Sequence, residues 1–188
     1  MSGEESAKKF FHPSLNVDDR LPLLFLPGIP ATAANQPFSR RRRPLIAFPR
    51  ASTLPESEIP WVGLYQSLDL RMGRILDSLD RLSRGESLRL PRVVPVRISE
   101  GALTFYSTEP FEPGVKGGLI LELPTLPLCE IDCDLSIVHC DSWDIDMEPS
   151  PGGFAVTGLW SGLEGEMRES LLQYLVLRQR EILAFKGK

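Results

Sequence analysis

Between Trp61 and Leu82 the apolar residues Trp61, Tyr65, Leu68, Met72, Ile75, Leu79 and Leu82 recur at intervals of 4-3-4-3-4-3 without a miss. A helix packed on its own domain usually shows a broader apolar face. A narrow seam of period 3.5 suits helices that supercoil around one another. The spacing therefore predicts a long helix whose apolar edge is buried between copies of the chain, against the alternative of a helix buried on its own domain. The ends are readable: Pro60 is acceptable in a first turn, and Gly85 suits the left-handed position after the last one. Gly73 is an interior weak point, costing on the order of 1 kcal/mol relative to alanine.

Labelling the seam narrows the assembly state. With Tyr65, Met72 and Leu79 at the a positions, Trp61, Leu68, Ile75 and Leu82 fall at d. No a residue is β-branched, and Ile75 at d leans toward three or four strands. Leu64 and Leu76 flank the seam and widen it. A homotetramer is expected, with a trimer or dimer next.

With 188 residues there is room for one full domain plus an insertion, and enough core to fold without disulfides. Three cysteines, no signal peptide and no apolar run of transmembrane length indicate a reducing, cytoplasmic setting without an integral membrane segment. The net charge of −4 argues against nucleic acid as a partner. It hides one basic block, Arg40, Arg41, Arg42 and Arg43. Three readings of that block stand open: a solvated loop, an anion site, or a contact for an acidic partner, nucleic acid or an anionic membrane surface.

Along the chain, residues 1–19 read as a polar arm. Arg20–Leu26 reads as a short strand before the Pro27-Gly28 turn signal. The stretch from Pro30 to Pro60 is rich in Pro, Ala and Ser and reads as irregular. After Gly85 short strands follow: Val94, Val96 and Ile98; Leu103 and Phe105; Leu119, Leu121 and Leu123; then Phe154 and Val156. The clearest alternation sets Cys129, Ile131, Cys133, Leu135, Ile137 and His139 on one face against Glu130, Asp132, Asp134 and Ser136 on the other. Short strands separated by Gly and Pro turns predict an antiparallel barrel or sandwich. The end of the chain reads as a helix, with Leu171, Leu172, Leu175, Ile182 and Leu183 recurring at 3–4 spacing and Glu164, Glu166 and Glu169 near its start.

The segment Arg97-Ile-Ser-Glu-Gly-Ala-Leu-Thr-Phe105 resembles the "LSxxGLxF" signature of PilZ domains, receptors for the bacterial second messenger cyclic di-GMP. Glu112-Pro-Gly114 and the strand after it match the family's next turn. The run Met167–Glu181 is similar to the helix that closes most PilZ domains. The likeness covers residues 20–26 and 90–184, which would form the barrel and its closing helix. Residues 30–86 would be an inserted basic loop and oligomerisation helix within a single domain of residues 1–188. The group resembled most is the atypical, tetrameric PilZ branch, whose barrel is interrupted by long heptad-bearing helices. The resemblance implies a mainly β fold with long helices: a six-stranded antiparallel barrel, an inserted coiled-coil helix and a C-terminal helix.

The departures matter as much. PilZ receptors grip the nucleotide with an Arg-x-x-x-Arg pair and an Asp/Asn-x-Ser-x-x-Gly strand. Two guanidinium groups at that spacing stack on guanine and hold phosphate bidentately, a geometry lysine does not offer. No two arginines of this chain are four residues apart. In the second motif Ser99 is kept, Arg97 stands at the acidic or amide position and Ala102 at the last glycine, where a methyl group opposes close backbone approach. The candidate ligand residues are therefore Arg40, Arg41, Arg42, Arg43, Arg97 and Ser99.

Other constellations have simpler readings. Cys129, Cys133 and His139 share one face of an extended strand, too far apart to converge on a zinc ion, and read as core packing. Asp141, Asp144, Asp146 and Glu148 lack the glycine-bearing pattern of a calcium loop. No Ser or Cys sits in a nucleophile elbow, and no metal, catalytic residue or cofactor is expected. The expectation is a non-enzymatic adaptor of the cyclic di-GMP network, self-assembled and acting on an unidentified signalling protein. The alternative is a direct cyclic di-GMP receptor using the Arg40–Arg43 loop.

Overall fold

Alternating apolar runs make half-buried strands, and here six of them close on one another. The structure, a computed structural model, describes residues 15–31, 55, 59–85, 89–126, 128–142 and 153–186. Its elements are β1 (Val17–Pro27), α1 (Ile59–Ser83), β2 (Arg92–Ile98), β3 (Ala102–Ser107), β4 (Lys116–Leu123), β5 (Cys129–Ser142), β6 (Phe154–Ser161) and α2 (Gly165–Lys186). The strands form a closed six-stranded antiparallel barrel in the order β1-β2-β3-β6-β5-β4, with β4 returning to β1. Closure removes most of the edge that an open sheet of these strands would present.

The interior is built from the alternating residues: Val96 and Ile98, Leu103 and Phe105, Leu119, Leu121 and Leu123, and Ile131, Cys133, Leu135 and Ile137 are all buried. Phe25 adds a tilted ring contact to Phe105, and an edge-on one to Phe111 at 5.3 Å. Leu171, Tyr174 and Leu175 of α2 complete the same core. Leu172 is only partly buried and Leu183 is exposed, because the helix turns one side to solvent and its last turns are less covered.

The alternation of β5 breaks at one place. Ile137 pairs with Gly158 but His139 pairs with Thr157, so Val138 is an extra residue, a β-bulge. The expectation that His139 shares the inward face of Cys133 is therefore corrected. His139 instead meets Asp141, Nε2 to Oδ2 at 2.5 Å, and Cys140 packs at the edge of the core.

Candidate functional site

α1 ends as its sequence indicates, with Gly85 at φ 75° and its N–H donated to the Leu82 carbonyl at 3.0 Å. Its two sides differ in kind. The side toward the barrel carries the buried Gly63, Ser67 and Gly73 together with Arg74. Ser67 Oγ donates to the Gly63 carbonyl at 2.7 Å and accepts the N–H of Leu128 at 2.8 Å. Arg74 pairs with both Glu122 and Glu130. Those two glutamates lie directly opposite each other on β4 and β5, where like charges repel. The guanidinium between them converts the repulsion into a clamp. These contacts of α1 with the barrel are all polar.

The other side of α1 is the seam. Trp61, Tyr65, Leu68, Met72, Ile75, Leu79 and Leu82 are each between 46 and 62% exposed, and the flanking Leu64 and Leu76 are exposed as well. The reading of a helix buried against its own domain is therefore not what the protomer shows. Contiguous apolar surface of this kind marks an interaction site.

The second candidate region is the hairpin turn between β2 and β3. Ser99 is buried and closes this turn: its N–H and Oγ both donate to the Ala102 carbonyl, at 2.9 and 3.0 Å, and its Oγ accepts the Ala102 N–H at 3.0 Å. The indole Nε1–H of Trp160 donates to the Ser99 carbonyl at 3.1 Å. Ala102 is fully buried, so its methyl group fills core space. Arg97 holds Asp18 of β1 bidentately, Nε to Oδ1 at 2.7 Å and Nη2 to Oδ2 at 3.0 Å. The hydrogen-bonded carboxylate pushes the guanidinium pKa further up, against the opposing cost of burial.

More ion pairs surround the turn. Arg168 of α2 pairs with Glu100. Asp19 of β1 accepts the Tyr174 hydroxyl at 2.6 Å and the Arg178 guanidinium at 2.8 and 3.3 Å, and Arg178 also meets Glu181 at 2.7 Å. Burial and the neighbouring Asp19 carboxylate raise the Tyr174 pKa well above its ordinary value. Arg178 is likewise held charged by its two carboxylate partners. Sequence inspection misses this network, since Asp19 lies 155 residues from Tyr174 in the chain. Arg97 and Ser99 are each committed to internal bonds, Arg97 with Asp18 and Ser99 with Ala102. Arg40, Arg41, Arg42 and Arg43 lie outside the described residues, as do Asp144, Asp146 and Glu148.

Of the cysteines, Cys133 is buried, and burial beside Asp132 and Asp134 pushes its thiol pKa up to about 12. Among the described residues no three His, Cys, Asp or Glu side chains are grouped to hold a metal ion. No described helix is long and apolar enough to cross a membrane.

No protein-family model matches the chain, and no curated protein matches its sequence. Among solved structures it is similar to a pathogenic protein of Xanthomonas campestris, a tetrameric PilZ domain that self-assembles through an unusual helical bundle. The two share 17% identity with a TM-score of 0.52, over 97% of this chain and 97% of that one. The barrel, the inserted helix and the closing helix thus have the PilZ-type fold.

Proposed function

We propose that this PilZ-fold chain is a non-enzymatic signalling adaptor of a bacterial cyclic di-GMP network. It self-assembles through α1, with a tetramer favoured, and acts by protein contacts with weak or no nucleotide binding. The observation that carries this reading is the division of α1: polar contacts toward the barrel and an unbroken apolar seam away from it. The assembly of the Xanthomonas campestris domain through a helical bundle supports the same use of the helix here. A cytoplasmic setting agrees with three free cysteines.

Weak nucleotide affinity follows from the commitments around the β2–β3 turn. A dinucleotide with two phosphates and two purines needs guanidinium partners and close backbone approach. Arg97 is engaged by Asp18, and the Ala102 methyl is part of the core. Each lost charge-assisted contact forfeits about 1.5–3 kcal/mol. Two such losses move a micromolar site to roughly the millimolar range.

Calorimetric titration of the full chain with cyclic di-GMP tests this directly. Heats consistent with millimolar or weaker affinity are expected. A low-micromolar constant overturns the adaptor reading in favour of a receptor. Replacing Arg41→Ala and Arg42→Ala then asks whether the basic block is the clamp.

A further inference from the structure

The barrel has one stretch of strand with a single neighbour. β5 is paired with β4 only as far as Ser136, opposite Lys116. The loop after β3 adds two bonds at Ile137, from the Gly114 N–H at 2.7 Å and to the Val115 carbonyl at 2.8 Å, and then parts from the strand. On its other side β5 stays paired with β6 as far as Ser142, opposite Phe154. From His139 to Ser142, therefore, one edge has no strand partner among the described residues, and alternate N–H and C=O groups point away from the sheet.

Between that edge and the loop lies a groove of about 500 Å³. Its apolar walls are Phe111, Pro113 and Phe154, with Cys140 at the base. Phe111 is held by its edge-on contact with Phe25, so the wall is fixed from behind. Its charged lining residues are Glu112 and Asp141, and no Lys or Arg among the described residues lines it. Asp141 additionally holds His139 on the strand. The groove sits at the Ser107 end of β3, the opposite end of that strand from the Ser99 turn.

We propose that this groove takes an extended basic segment of another protein, which adds as a strand to the His139–Ser142 edge. One apolar side chain of the segment seats between Phe111 and Phe154, and the lysines or arginines beside it meet Glu112 and Asp141. An open edge selects an extended backbone, the aromatic walls select one apolar anchor, and the two carboxylates select positive charge. This gives the protein contacts of the adaptor reading a location, and it stands apart from the seam of α1 and from the nucleotide question.

The test is fluorescence anisotropy with the full chain and a dye-labelled peptide of alternating Lys and Val, at low salt. Binding is expected, and a Glu-Val peptide of equal length is expected not to bind. N-methylation of alternate peptide nitrogens, which removes strand donors without changing charge, should weaken binding at least about tenfold. Glu112→Lys together with Asp141→Lys should also weaken it at least about tenfold, since two attractions become repulsions. Glu112→Lys alone changes only an exposed loop residue and should weaken it in the same direction with the barrel intact by circular dichroism. Failure of the Lys-Val peptide to bind overturns the proposal. So does equal binding of the Glu-Val peptide, indifference to N-methylation, or indifference to both variants. None of these outcomes bears on sedimentation or on the nucleotide titration.

Discussion

Replacing Ile75→Asp and Leu79→Asp in the same chain tests the seam at its centre. In the protomer these side chains are already 60 and 57% exposed, so the substitution removes little that holds the barrel together. Fully burying a leucine or isoleucine contributes about 1.5–3 kcal/mol. Covering the fraction still exposed is then worth about 1–2 kcal/mol per side chain, or about 2–3.5 kcal/mol per protomer for the pair. Two carboxylates in an apolar bundle core add several kcal/mol of desolvation. A combined loss of about 5 kcal/mol or more per protomer weakens association by at least about three orders of magnitude. Sedimentation equilibrium at micromolar concentration should show the wild type at a multiple of the 21.0-kDa protomer and the variant at the protomer mass. Near-ultraviolet circular dichroism should show the variant still folded. A wild type that sediments as a monomer, or a double variant that keeps the wild-type mass, refutes the reasoning.

Asp19→Ala should cost about 2–4 kcal/mol in urea unfolding, because it strips Tyr174 and Arg178 of one shared acceptor that is mostly buried; a change below about 0.5 kcal/mol would sink that account. Cys133 is protonated in the fold at a pH where the unfolded thiol ionises, since its pKa moves from 9.0 to about 12. Its contribution is therefore complete below pH 9.0 and declines as pH rises toward 12, by at most about 1.4 kcal/mol per pH unit; Cys133→Val should flatten the dependence of the urea midpoint between about pH 9 and 10. Gly117→Ala places a methyl carbon 2.3 Å from the Leu26 carbonyl oxygen and should destabilise by about 1–3 kcal/mol or more. A chelator should leave the melting temperature unchanged, and elemental analysis showing one zinc per chain would reverse the assignment of Cys129 and Cys133 as packing residues.

What could be read from the residues alone follows the range over which each force acts. Alternation and heptad spacing are local, so the strands around Val96, Leu121 and Ile131, and the helix from Trp61 to Leu82, were legible. Gly85 marked a helix end because only a backbone conformation was at issue. His139 was misassigned because parity counting assumes an unbroken strand, and a single added residue at Val138 leaves no mark in hydrophobicity. Leu183 continues the helical spacing yet is exposed, because periodicity does not say which turns of a helix have something to pack on. The meaning of Arg97 and Ser99 was hidden for a different reason. Arg97 is committed to Asp18, 79 residues away, and Ser99 to a carbonyl three residues on that forms only when the hairpin closes. Arg74 was unremarkable in sequence until two glutamates from separate strands met on either side of it.

The added residue at Val138 also sets what deletions the gene can tolerate. Elsewhere in a strand, removing one residue shifts everything beyond it to the wrong side of the sheet. Here the removal of Val138 leaves Ile137 inward, His139 outward and Cys140 against the core, the faces they already have. What is lost is the local bend that the extra residue puts into β5. A chain shortened by that one codon gains a more regular strand pattern and keeps its inward and outward sets. Among natural variants, a one-residue deletion should therefore be tolerated at this position better than anywhere else in β5.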